Sequence, residues 1–148
     1  MTKHLAGAYA IGAAELLAGV PLVWAAWTLW PMVYRQSTSR VDDWLAAIAI
    51  AVAGPVLAAA GAAALLHSRL SYPVIRGTQI AAAVSEVGMI LAGAGIYVVG
   101  RRRGGDWAGF TLLAGTVFVA VGALLLLLTL FGLRYLRRRL AESADLGG

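Results

Sequence analysis

Apolar residues fill four stretches of the chain almost without interruption: Leu5–Tyr34, Trp44–Leu66, Gly77–Gly100 and Trp107–Leu133. They run for 30, 23, 24 and 27 residues and are separated by short polar pieces. A helix rises about 1.5 Å per residue, so about 20 apolar residues cross the hydrocarbon layer of a bilayer. All four stretches reach that length. The pattern predicts an all-α, four-helix transmembrane bundle, with helices over about 5–34, 42–67, 77–100 and 106–134 and a basic tail over 134–148. A single integral membrane domain then occupies residues 1–148 and leaves no room for a soluble catalytic or ligand-binding domain.

Interruptions in the apolar pattern sharpen this reading. The far end of the first stretch gathers Trp24, Trp27, Trp30 and Tyr34, and such amphipathic rings prefer the headgroup level. Its 30 residues exceed the core thickness, so this helix tilts, kinks or protrudes. Pro21 removes the bond to the Leu17 carbonyl and offers a kink, whereas Pro31 falls near the helix end. The polar loop Arg35–Arg40 leads into Ser39-x-x-Asp42, the spacing of a capping box at the start of helix 2. His67 to Arg76, including Ser71-Tyr72-Pro73, forms the second loop, and Arg101–Asp106 the third. The first apolar run is longer than the roughly 7–15 residues of a signal-peptide core and carries Glu15, which predicts a retained helix.

Composition agrees. Charged residues make up 13% of the 148 and hydrophobic ones 61%, against about 25% and 45–50% in soluble domains. Mean hydropathy is +0.81. The net charge of +5 arises from Lys and Arg at helix ends, not from a groove-tracking face, so no nucleic-acid partner is expected. Lys3, Arg69, Arg76, Arg134, Arg137, Arg138 and Arg139 share one side, and Arg35, Arg40, Arg101, Arg102 and Arg103 the other. That bias predicts cytoplasmic termini in a cell inner membrane. Arg134, Arg137, Arg138 and Arg139 form a helix-end anchor suited to anionic lipid.

The absence of cysteine removes disulfides, thiolate metal sites and thiol nucleophiles together. His4 and His67 are too few for a metal or haem site, and no phosphate-binding loop or Ser/His/Asp arrangement is present. Neither a cofactor nor enzymatic activity is expected.

The candidate chemistry lies inside the membrane. Glu15 follows Lys3 by twelve residues and Glu86 follows Arg76 by ten, rises of about 18 and 15 Å from the same side. Both acids should therefore reach similar depth. An ionised carboxylate there costs several kcal/mol by order of magnitude, so it must hold a proton, meet a cation or find a hydrogen-bond partner. On helix 3, Gln79, Glu86, Gly93 and Gly100 recur every seven residues, with Ser85 beside them. Gly12, Gly19 and Ala26 flank Glu15; helix 2 offers Ala47, Gly54, Gly61 and Ser68, and helix 4 Ala108, Gly115, Gly122 and Thr129. Heptad stripes of small residues allow close helix approach in a left-handed bundle. Facing acids could exchange protons against a cationic solute or relay a proton, with Gln79 and Ser85 as polar support. The plainer reading makes each acid a hydrogen-bonded tie between helices or to a partner subunit.

The chain also reads as two copies of one hairpin. Helices 1 and 3 each carry one acid, and helices 2 and 4 each open with Asp-Trp, at Asp43-Trp44 and Asp106-Trp107. Two-span units preserve direction, which would make these parallel repeats.

The segment Ala10-Ile11-Gly12-Ala13-Ala14-Glu15-Leu16-Leu17-Ala18-Gly19 resembles the first helix of the small multidrug resistance transporters. The likeness spans about ten residues around Glu15. It implies a glutamate that takes protons and cationic compounds in turn, within a dimer of four-helix subunits. The expectation from residues and resemblance together is a proton- or cation-coupled transporter or conducting subunit, oligomeric because four thin helices enclose little space. Its rival is a non-catalytic accessory or assembly subunit of a larger membrane complex, docking on lipid or partner helices.

Overall fold

The computed structural model describes residues 5–35, 40–66, 69–103 and 108–145. Four helices account for nearly all of them: α1 (Leu5–Arg35), α2 (Val41–Leu65), α3 (Tyr72–Arg103) and α4 (Ala108–Asp145). Each is long and apolar enough to cross a bilayer. Their outward faces are apolar: Leu17, Val52, Leu91, Leu124 and Leu127 all stand exposed, the arrangement of a protein whose solvent is lipid. The chain is an integral membrane protein with an all-α, four-helix fold.

Helix boundaries depart from the sequence reading in four places, one of them the end of α3, which runs to Arg103 through the first half of the expected third loop. The Ser71 carbonyl accepts hydrogen bonds from the Val74 and Ile75 amides at 3.1 and 3.2 Å, so α3 begins at Tyr72 instead of near residue 77. Pro73 falls in the first turn, where a missing amide proton costs nothing. At the start of α2, Asp43 Oδ2 accepts from the Arg40 amide at 2.9 Å. The back-bonding acid is thus one residue beyond the expected Asp42; Ser39 lies outside the described residues. α4 continues through the basic segment to Asp145. That extension lets Leu136 pack with Ala8 and Ile75 in a small apolar cluster at the Leu5 end of α1.

Burial follows a heptad seam. On α3 the interior positions are Ile75, Gln79, Ala82, Glu86, Met89, Gly93, Ile96 and Gly100, with Ser85 also buried at the side of the seam; on α4 they are Thr111, Gly115, Gly122, Leu125, Thr129, Gly132 and Leu136. Apolar members of the seam, Ala53, Leu57, Ala60, Ala82, Met89 and Leu125, form the central core. α1 packs along α2 and α3 along α4; α2 joins the hairpins through α3, while α1 meets α4 over a short stretch. That stretch holds Gly7 under the Tyr135 ring and Gly132 against Ile11. Beyond Gly19 no α1 residue is buried, and Trp27 is 82% exposed. An apolar groove of about 340 Å³ lies there beside Pro31 and Pro55. Trp30, which lines it, also meets Trp44 edge-on, with centroids 5.8 Å apart.

Glycine sets the spacing within each hairpin. A Cβ on Gly61 would stand 2.7 Å from the Gly12 carbonyl, and one on Gly54 2.7 Å from the Val23 amide nitrogen. In the second hairpin a Cβ on Gly115 would meet the Tyr97 amide nitrogen at 2.6 Å and the Gly93 carbonyl at 2.8 Å. Such contacts bring backbones together as small-residue motifs do in membranes. Gly54 and Gly61 of α2 match Gly115 and Gly122 of α4. Their partners across the hairpin are Gly19 and Gly12 in one case, Gly93 and the backbone at Glu86 in the other. By packing, the counterpart of Glu86 is therefore Gly12, about one turn from Glu15. The hairpins share an architecture, but the two acids do not occupy equivalent places in it.

Candidate functional site

Four polar side chains with no exposed surface meet inside the bundle: Glu15 from α1, Gln79 and Glu86 from α3, and Thr129 from α4, each at 0%. Each lies on the buried seam of its helix, and the antiparallel course of α3 and α4 brings Thr129 level with Glu86. The Gln79 amide donates from Nε2 to Glu15 Oε2 at 2.9 Å. The Thr129 hydroxyl donates to Glu86 Oε1 at 2.7 Å and also lies beside the Glu15 carboxyl. Glu15 and Glu86 are near enough to act on each other electrostatically. α1 and α3 stand diagonally across the bundle without close backbone approach, so the Glu15–Gln79 bond spans the interior through its two long side chains.

The cluster holds more acceptors than donors. Glu15 Oε1, Gln79 Oε1 and Glu86 Oε2 are all buried and receive no hydrogen bond. In a low-dielectric interior each unpaired oxygen loses its hydration without replacement, at about 1–3 kcal/mol. Neither acid forms an ion pair with a described Lys or Arg side chain. A proton on a carboxyl would turn an acceptor into a donor; a small cation would draw several oxygens to itself. Either occupant supplies the positive charge that these oxygens lack, and the donor set is hard oxygen, suited to protons or alkali cations over soft metals. Among the described residues no three His, Cys, Asp or Glu side chains gather in a metal-binding group.

The structure thus brings Glu15, Glu86 and Gln79 together and adds Thr129. Ser85 is directed elsewhere: its hydroxyl donates to the Ala82 carbonyl of its own helix at 2.8 Å. Its neighbour Glu86 lies about 100° around the helix, so the two buried side chains leave α3 in different directions. Thr129 had a legible signal, the heptad register shared with Gly115 and Gly122. Arg134 and Arg137 stand exposed on the last turns of α4, Arg138 beside them; the side chain of Arg139 lies outside the described residues, as do His4, His67, Asp106 and Trp107.

No protein-family model matches the chain, and no curated protein or solved structure matches it either.

Proposed function

We propose that this protein moves protons, or a cation in exchange for protons, across a membrane, with Glu15 and Glu86 as one exchange site. The observation that carries the reading is the surplus of buried acceptors: three oxygens of Glu15, Gln79 and Glu86 without donors, in a cluster with two donated bonds. A static tie between helices is best served by matched donors and acceptors. An acceptor surplus is suited to a mobile positive occupant. Gln79 orients the Glu15 carboxyl and Thr129 the Glu86 carboxyl, and Thr129, beside both, offers a hydroxyl through which a proton can pass between them. Complete burial of all four side chains corresponds to a closed form of the site; exchange requires parting of helices, and the thin α1–α4 contact is the seam with least to break. The Arg distribution supports a cell inner membrane with the Leu5 end of α1 on the cytoplasmic side, and assembly into oligomers would supply the enclosed path that four thin helices lack.

The same burial favours a second reading. A cluster sealed from its surroundings would also lock the hairpins of an accessory subunit together, leaving the Trp-rich face of α1 to meet a partner. Purified protein in liposomes under an imposed pH gradient separates the two. Transport predicts proton flux that is lost in Glu15→Gln and in Glu86→Gln while both variants insert and fold. An accessory subunit predicts flux indistinguishable from that of protein-free liposomes.

A further inference from the structure

A second polar feature lies outside the bundle on the same side of the membrane as the Leu5 end of α1. Where α3 begins and α4 nears its end, Tyr72, Arg76, Ile80, Leu133, Arg134 and Arg137 line a cleft of about 350 Å³. Helical spacing creates it. Tyr72, Arg76 and Ile80 follow each other at intervals of four on α3, and Leu133 and Arg137 do so on α4, so two aligned faces meet along one seam. The helices run in opposite directions, which sorts the cleft by depth. Tyr72 and Arg137 stand at its outer end, Arg76 and Leu133 about 6 Å deeper, and Ile80 about 12 Å deeper along α3. Its top is therefore cationic, with the Tyr72 ring beside three guanidinium groups. Its bottom is apolar and opens onto the lipid-facing surface, where Ile80 is 45% exposed. Arg76, Arg134 and Arg137 make no ion pair with a described acidic side chain.

We infer that this cleft binds one anionic glycerophospholipid, its phosphodiester held by Arg76, Arg134 and Arg137 and its upper acyl chain laid over Ile80 and Leu133. A soluble phosphate would satisfy the guanidinium groups but leave the apolar floor uncovered; an amphiphile matches both ends. The specific claim is that Arg76 on α3 shares the headgroup with α4, whereas Arg138, on the neighbouring face, takes no part. A lipid held there joins α3 to α4 one turn from Gln79 and Gly132, directly outside the carboxylate cluster, and its binding does not depend on what that cluster does.

Native mass spectrometry of the full chain in neutral detergent, titrated with phosphatidylglycerol or phosphatidylcholine, tests this. The first phosphatidylglycerol should bind in preference to phosphatidylcholine, and Arg76→Gln and Arg134→Gln should each weaken that first event on the order of fivefold. Arg101→Gln at the opposite membrane face and Arg138→Gln beside the cleft remove the same charge and should leave it unchanged. Added inorganic phosphate should not displace the lipid. Equal loss in Arg101→Gln or Arg138→Gln would reduce the effect to general charge attraction and overturn the site. Equal binding of the two lipids, or displacement by free phosphate, would overturn the lipid assignment.

Discussion

In the α1–α2 hairpin the backbones meet at Gly12 against Gly61 and Gly19 against Gly54; in the α3–α4 hairpin they meet at Gly93 against Gly115 and at Gly122 against the backbone of Glu86. Spacing is thus achieved in the same way twice. The interior chemistry is not. The first hairpin contributes Glu15 to the central cluster, and the second contributes Gln79, Glu86 and Thr129. Small residues decide how near the helices come, while the residues one turn away decide what the enclosed space contains. The difference also makes the acids unequal. Glu15 is held from across the bundle by a diagonal helix, Glu86 by the neighbouring helix of its own hairpin.

The largest expected effect comes from breaking the shared architecture. Gly61→Leu drives a side chain into the α1 backbone and should destabilise the protein by about 3 kcal/mol, measured by unfolding in mixed detergent. Gly88→Leu, at a position with nothing within 4 Å of a new Cβ, should change stability by less than about 0.5 kcal/mol. Equal losses would show that the close glycine contacts do not set the fold.

Inequality of the acids gives the next effect. Removing Glu15 leaves the Gln79 amide without its acceptor, and a side-chain amide on a diagonal helix has no nearby substitute. Removing Glu86 frees the Thr129 hydroxyl, which can turn back to the Leu125 carbonyl one turn earlier, as helical threonines do. Glu15→Leu should therefore cost about 1 kcal/mol more than Glu86→Leu. The reverse order would mean that Glu86 and not Glu15 anchors the cluster.

Smaller still is the pairwise term. A double-mutant cycle of Glu15→Leu with Gln79→Leu should give a coupling of about 1 kcal/mol, within the range of interhelical hydrogen bonds in membranes. Zero coupling would show that the Gln79–Glu15 bond does not tie α1 to α3. Ser85→Ala should leave both stability and flux unchanged, since the Ser85 hydroxyl is bonded to its own helix; a loss of flux would bring Ser85 back into the site.

Much of this molecule is legible along the chain, for specific physical reasons. Membrane spans declare themselves by length, because lipid demands about 20 apolar residues whatever the packing. The helix 3 stripe was readable because it collected Gln79 and Glu86 among small residues at a seven-residue interval, a coincidence that Ala and Gly abundance alone does not produce. Thr129 stood in the same register on helix 4, yet a threonine in an apolar helix can always bond its own backbone, so its outward reach to Glu86 is a tertiary fact. Ser85 misled by adjacency: sequence neighbours diverge by about 100° on a helix. The hairpin repeat was visible in composition, but its true register rests on backbone contacts that acid-to-acid alignment misses. The early start of α3 was hidden because Tyr72-Pro73 reads equally as loop or first turn.

Isotope-edited infrared spectroscopy of the reconstituted protein, with Glu carboxyls labelled, tests the central claim that Glu15 and Glu86 share one enclosed site. Glu86→Gln should shift the carboxyl band that remains from Glu15, Glu15→Gln should shift that of Glu86, and both bands should be slow to respond to deuterated buffer. Bands that ignore the loss of the other acid, and that respond to deuteration as fast as an exposed carboxyl, would contradict the account.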